Sequence, residues 1–250
     1  MNITKSRPPA RAGFTLIELL IVLVIIAILV TISVPAVLRA LKVVGDVRTK
    51  AEIAQMADAM AAFRAHFGNP PFPPSQVSLS PNNPYCRRVW PRAQNLPGTS
   101  LSGGQVLVLF LGGMQSGSSG SGRCLGFSNN PTAPLSGSPN IPPFYEFRPD
   151  RLVGSAGQFQ YRDGHGGQPY LYFGVGLGDG YNVGAINGVS PYRSPAGAFF
   201  NERSFQIISA GENGQFGPGG VYNPSAPNVG AAGRDDLSNF HEARLGVPGN

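Results

Sequence analysis

The sequence predicts an α+β chain. A long N-terminal helix, first membrane-spanning and then amphipathic, packs on a small antiparallel sheet in a loop-rich C-terminal domain. Three observations carry this. Phe14–Val34 is an apolar run of 21 residues broken only by Thr15, Glu18, Thr31 and Ser33. A helical period continues from Val37 to Ala61. Short β-type runs bounded by Gly, Pro or Asn follow. The 34 glycines and 24 prolines among 250 residues mean that much of the chain is loop. Charged residues are only 13%. A helix bundle, a coiled coil and a charged disordered tail are therefore excluded, and two cysteines exclude a disulfide-dense scaffold.

The apolar run reaches about 31 Å as a helix, enough to cross the hydrocarbon core of a bilayer. Before it stands a basic segment with Lys5, Arg7 and Arg11 and no acid. A cleaved secretory signal begins the same way, and Val34-Pro35-Ala36 offers a small-residue cleavage site. Two features oppose that reading. The run exceeds the apolar stretch of a signal peptide. Glu18 lies inside it, where a lone carboxylate costs roughly 2.5–3.5 kcal/mol on insertion scales. Such an acid calls for a partner. Charge leaves the orientation open, because the three leader cations before the span are matched by four after it, Arg39, Lys42, Arg48 and Lys50.

Pro35 follows the span and favours a kink or local melting. Val37, Leu41, Val44, Val47, Ala51, Ala54, Ala57 and Ala61 then form one helical face, suited to close packing on a sheet or a neighbouring helix. Asp46 and Lys50 form a favourable i,i+4 pair. Gly68-Asn69-Pro70-Pro71 ends the helix. Residues 70–100 and 112–143 read as long loops around a buried apolar element, Val106–Leu111. Phe144–Arg148, Gln158–Tyr161, Tyr170–Val175 and Phe205–Ser209 read as strands. The expected organisation is a leader (1–13), a transmembrane helix (14–34), an amphipathic helix (35–68) and a loop-rich β domain (69–250).

Gly13-Phe14-Thr15-Leu16-Ile17-Glu18-Leu19-Leu20 resembles the leader junction of type IV pilin-like proteins, in particular the type II secretion pseudopilins. The resemblance covers roughly residues 1–70. It implies a prepilin peptidase that cuts between Gly13 and Phe14 on the cytoplasmic side and methylates Phe14. The span is then retained, the protein sits single-pass in the inner membrane, and the C-terminal domain lies outside the cytoplasm. Glu18 and Pro35 become assembly residues, with the Glu18 carboxylate meeting the Phe14 amine of a neighbour and setting axial register. The implied partners are prepilin peptidase, further pseudopilin subunits, the inner-membrane secretion platform and lipid. The alternative is a type IV or competence pilin serving adhesion, motility or DNA uptake.

Outside the cytoplasm a single Cys86–Cys124 disulfide would pin two loops; otherwise both stay thiols. The strand Phe205–Ser209, the Gly-rich loop after it and the acidic pair Asp235-Asp236 are similar to the C-terminal calcium loop of major pseudopilins. The resemblance implies calcium as cofactor, held by Asp235 and Asp236 with Glu212 or Asn213 and nearby carbonyls. The alternative is a turn-rich C-terminus in which Asp235 caps a short turn. No nucleotide-binding, nucleophile-elbow or zinc-protease motif occurs, so no enzymatic activity is expected. His165 and Asp179 read as turn residues rather than ligands. The cluster Tyr85–Arg92 combines cations and aromatics, but it is isolated. An exposed loop with Trp90 packed inward is favoured over nucleic-acid binding.

Overall fold

The computed structural model describes residues 15–178, 181 and 184–248, without the side chains of residues 35, 36 and 38–42. The chain forms two compact units that divide between Val44 and Gly45.

In the first unit, helix α1 (Leu16–His66) begins. Its segment Leu16–Val34 is long and apolar enough to cross a membrane, and all its side chains are exposed. An uncovered Leu/Ile/Val surface of this size is unfavourable in water and favourable in lipid. The helix continues through position 35, so the melting favoured by a proline does not interrupt it. Proline removes its own N–H from the ladder and its ring crowds the carbonyl four residues back, which this helix accommodates without ending.

In the second unit, Ile53, Met56, Ala59, Met60 and Phe63 of α1 are buried. The helix ends where Gly68 (φ +77°) and Asn69 (φ +56°) turn left-handed. The Asn69 N–H then donates to the Arg64 carbonyl at 2.7 Å. Strand β1 (Gln76–Ser78) follows, then α2 (Pro84–Val89), capped by the Asn83 side chain, and β2 (Ser100–Ser102), antiparallel to β1. The apolar run becomes a helix, α3 (Gly104–Gly112), whose residues from Val106 to Leu111 are all buried. A Cβ on Gly104 would stand 2.5 Å from the Tyr170 carbonyl oxygen, so only glycine lets this helix start against the sheet.

The hairpin β3 (Met114–Ser116)–β4 (Arg123–Gly126) and the pair β5 (Leu152–Val153)–β6 (Gln160–Tyr161) are both antiparallel. The remaining strands are β7 (Leu171–Gly174), β8 (Ser190–Arg193), β9 (Phe205–Ser209), β10 (Gly219–Val221) and β11 (Leu237–Ser238). The largest sheet is antiparallel, in the order β11-β9-β7, with Tyr172 opposite Ile207 and Leu237 opposite Ser209. β8 and β10 pair in parallel. The fold is thus α+β as expected, with several small sheets rather than one.

Alternation along the strands splits the core in two. Tyr172, Phe205 and Ile207 face a cluster shared with α1 and α3, including Phe63, Phe110 and Trp90. Leu171, Phe173 and Ile208 face the other side, against Tyr181, Tyr192, Tyr222 and Leu245. One expected strand, Phe144–Arg148, is not a strand. The N–H groups of Phe144 and Tyr145 donate to the Leu111 carbonyl at the end of α3, and the Phe144 ring packs on Phe63. Its aromatic residues serve the core through side chains, not through a ladder.

Candidate functional site

The functional features form two groups, one at the start of α1 and one where the chain's C-terminal segment meets α1.

At the helix start, Thr15 and Glu18 cap each other. The Thr15 N–H and hydroxyl donate to Glu18 Oε2 at 2.8 and 2.7 Å, and the Glu18 N–H donates to Thr15 Oγ1 at 3.3 Å. This is a capping box, and it places a carboxylate at the positive end of the helix dipole. The signal was legible in Thr15-Leu16-Ile17-Glu18. The two bonds that reach the Glu18 carboxylate both end on Oε2. Gly13 and Phe14, the expected processing residues, lie outside the described residues, as does the side chain of Pro35.

Of the helical face expected to pack on a sheet or a neighbouring helix, Ala57 is partly buried against the core, and most other described positions are exposed. Val47, Ala51, Ala54 and Ala61 are exposed, while the buried positions are Ile53, Met56, Ala59, Met60 and Phe63. The larger side chains bury more apolar area per contact and take the core.

Charged residues of α1 reach partners remote in sequence. Glu52, read from sequence as an off-face residue, is 9% exposed. It receives two bonds of 2.6 Å from Arg151, one of 2.9 Å from the Tyr170 hydroxyl and a weaker one from Arg48. The Arg151 guanidinium also stacks 4.3 Å over the Tyr161 ring. Burial raises the Glu52 pKa, but the Arg151 bonds outweigh it and hold the carboxyl below its ordinary range. Asp46 does not pair with Lys50. It meets Arg244 at 2.6 Å and His165 Nε2 at 3.3 Å. No spacing rule could have revealed these contacts, because the partners lie about 100 to 200 positions away.

Lys50 donates to the Ser238 and His241 carbonyls, tying the C-terminal segment to α1. Burial pushes the ammonium down to about 8, against the charges of Glu242 and Asp46. Between pH 8 and 10.5 the unfolded chain therefore binds the extra proton, so this group makes stability rise with pH, and its desolvation penalty stands in full below that window. Melting curves should show the stability of the natural protein, relative to Lys50→Met, growing from pH 7.5 to pH 9 by about 2 °C or more. Parallel pH profiles would refute this.

The four expected calcium ligands stand as follows. Asp235 Oδ2 accepts the Asn213 N–H at 2.7 Å, and Asp236 Oδ2 accepts the Gly217 N–H at 2.9 Å. The Asn213 side chain donates to the Ala232 carbonyl and accepts from the Gln215 N–H. Glu212 lies 3.7 Å from Arg244. Burial pushes the Asp236 carboxyl up to about 7, with the Asp235 charge adding and the Gly217 N–H opposing. Among the described residues, no three His, Cys, Asp or Glu side chains converge on a metal position. Each acid uses one oxygen in this way, while Asp236 Oδ1 is buried without a hydrogen-bond partner.

Cys86 and Cys124 are free thiols, which corrects the disulfide expectation. The Cys86 thiol donates to the Ser78 carbonyl at 3.6 Å, whereas Cys124 sits where a Cβ on Gly112 would stand. Burial pushes the two thiols up to about 11 and about 12, so neither is reactive. Trp90 is packed inward, stacked on Phe110 with ring centroids 5.7 Å apart. Its segment is helix α2 rather than a loop.

Residues 8–34 match the family model of the prokaryotic N-terminal methylation motif. With the apolar helix that follows, the chain fits a type IV pilin-like protein. The motif is that of a structural, non-enzymatic class, processed by prepilin peptidase and assembled into pilin-like polymers, and it suggests membrane anchoring. No curated protein and no solved structure shows a significant match to the chain.

Proposed function

We propose that this chain is a pseudopilin, a subunit of a type II secretion filament, held in the inner membrane with its C-terminal domain outside the cytoplasm. Prepilin peptidase cuts after Gly13 and methylates Phe14. The helix from Phe14 then stays in the bilayer until the subunit enters the filament. The observation that carries this reading is the methylation motif running directly into an uncovered apolar helix. Cleavage creates a cationic amine, and the Glu18 carboxylate of an adjacent subunit neutralises it in the low-dielectric interior. A buried pair of this kind sets register more than it adds stability. The exposed Val47, Ala51, Ala54 and Ala61 of α1 support helix-to-helix contact, since small side chains allow backbones to approach closely.

Mass spectrometry of the mature protein should find an N-terminus at methylated Phe14. Glu18→Ala should be inserted and trimmed normally, yet enter filaments about tenfold less, the minimum expected from stranding one buried charge. Normal incorporation of this variant would overturn the pairing. Loss of secreted proteins in a deletion strain distinguishes the pseudopilin role from a pilus role, in which surface fibres or DNA uptake are lost instead.

A further inference from the structure

The acidic pair and the glycine-rich loop of the C-terminal segment meet with no space between them. A calcium ion needs six to eight oxygens converging on one point. Here Asp235 and Asp236 reach two different amides of one loop, those of Asn213 and Gly217. Each amide N–H satisfies one oxygen of its acid, while Asp236 Oδ1 stays buried without a partner.

Sterics reinforce this. A Cβ on Gly233 would stand 2.7 Å from Gly217 Cα and 3.1 Å from Asp236 Oδ2. A Cβ on Gly217 would stand 3.1 Å from Gly233 Cα. The two main chains therefore touch at glycines. Gly211 adopts φ +63°, and any side chain there would run into the Asp235 carbonyl. The Asn213 side chain bridges the loop to Ala232. Beyond the pair, Leu245 N–H donates to the Asp236 carbonyl at 2.8 Å and Gly246 N–H to Arg234 at 3.0 Å, so the closure extends along the segment that Lys50 grips.

We propose that Asp235 and Asp236 form a metal-independent latch, which closes the Gly211–Gly217 loop on its own main-chain amides and locks the C-terminal segment without calcium. Three groups make it work. One oxygen of each acid accepts, the loop amides donate, and Gly217 and Gly233 permit the contact. The latch stands or falls apart from the filament role, because it concerns only how the second unit holds its end.

Hydrogen exchange on the full chain in detergent micelles tests it, followed at residues 211–217 and 232–246. Protection should be equal in EGTA and in millimolar calcium. Gly233→Ala should speed exchange in both segments about tenfold or more, with no rescue by calcium, since at least one of the two amide-to-acid bonds is lost. The double variant Asp235→Asn/Asp236→Asn keeps an acceptor oxygen at each position and should retain most of the protection. This second variant decides the matter if Gly233→Ala fails to fold. A saturable gain in protection on adding calcium, absent from the double variant, would overturn the latch and establish a cation site.

Discussion

Arg151→Ala is expected to destabilise the second unit by about 3–5 kcal/mol, because it leaves the Glu52 carboxylate buried without its main counter-charge. The pair is nearly dry, with side chains 9% and 11% exposed, and the contact is doubly bonded. Tyr170 and Arg48 still reach Glu52, but one neutral hydroxyl and one half-exposed arginine do not replace a bidentate guanidinium. For a domain of this size the loss corresponds to a melting point lower by roughly 6–20 °C. Glu52→Ala should cost a similar amount, since it strands Arg151 instead. The double variant Glu52→Leu/Arg151→Met should recover most of the loss, because removing both charges removes the desolvation cost with them. Single variants melting within a degree of the natural protein would show that the pair is dispensable.

Phe63→Ala is expected to cost about 3–5 kcal/mol, the loss typical of emptying a buried aromatic site. Phe63 is fully buried near the end of α1. Its ring lies 4.9 Å from Phe67, 5.5 Å from Phe110, 6.1 Å from Phe127 and 5.6 Å from Phe144, measured between centroids. It is the point at which α1, α3 and two loops share one cluster, so neighbours fixed by separate elements cannot all collapse into the cavity. Phe63→Leu keeps most of the volume and should cost less than half as much. Denaturant unfolding of the full chain in micelles measures both, and an alanine variant that loses under 1 kcal/mol would contradict the central role of this ring.

Both predictions concern contacts that the sequence did not disclose, and the reason is the same in each. Local patterns specify periodicity, not partners. The pattern Val37–Ala61 was a correct helical face, yet the face beside it, carrying Ile53, Met56, Met60 and Phe63, took the core. Glu52 seemed a solvent residue because its counter-ion lies 99 positions away. The strand at Phe205–Ser209 was legible, since an apolar run between turn residues needs no partner to be recognised. Phe144–Arg148 has the same look and is no strand, because Phe144 and Tyr145 bond to the end of α3 instead.

By itself, the sequence determined the membrane-length helix and the processing motif, both of which rest on residues within a few turns of one another. Only the tertiary structure decided which side of α1 is buried, that Cys86 and Cys124 are free thiols, and that one oxygen each of Asp235 and Asp236 accepts a loop amide. These outcomes depend on where distant backbone segments touch. Close approach at positions such as Gly217 and Gly233 is set by the whole packed chain, and no short window of residues contains it.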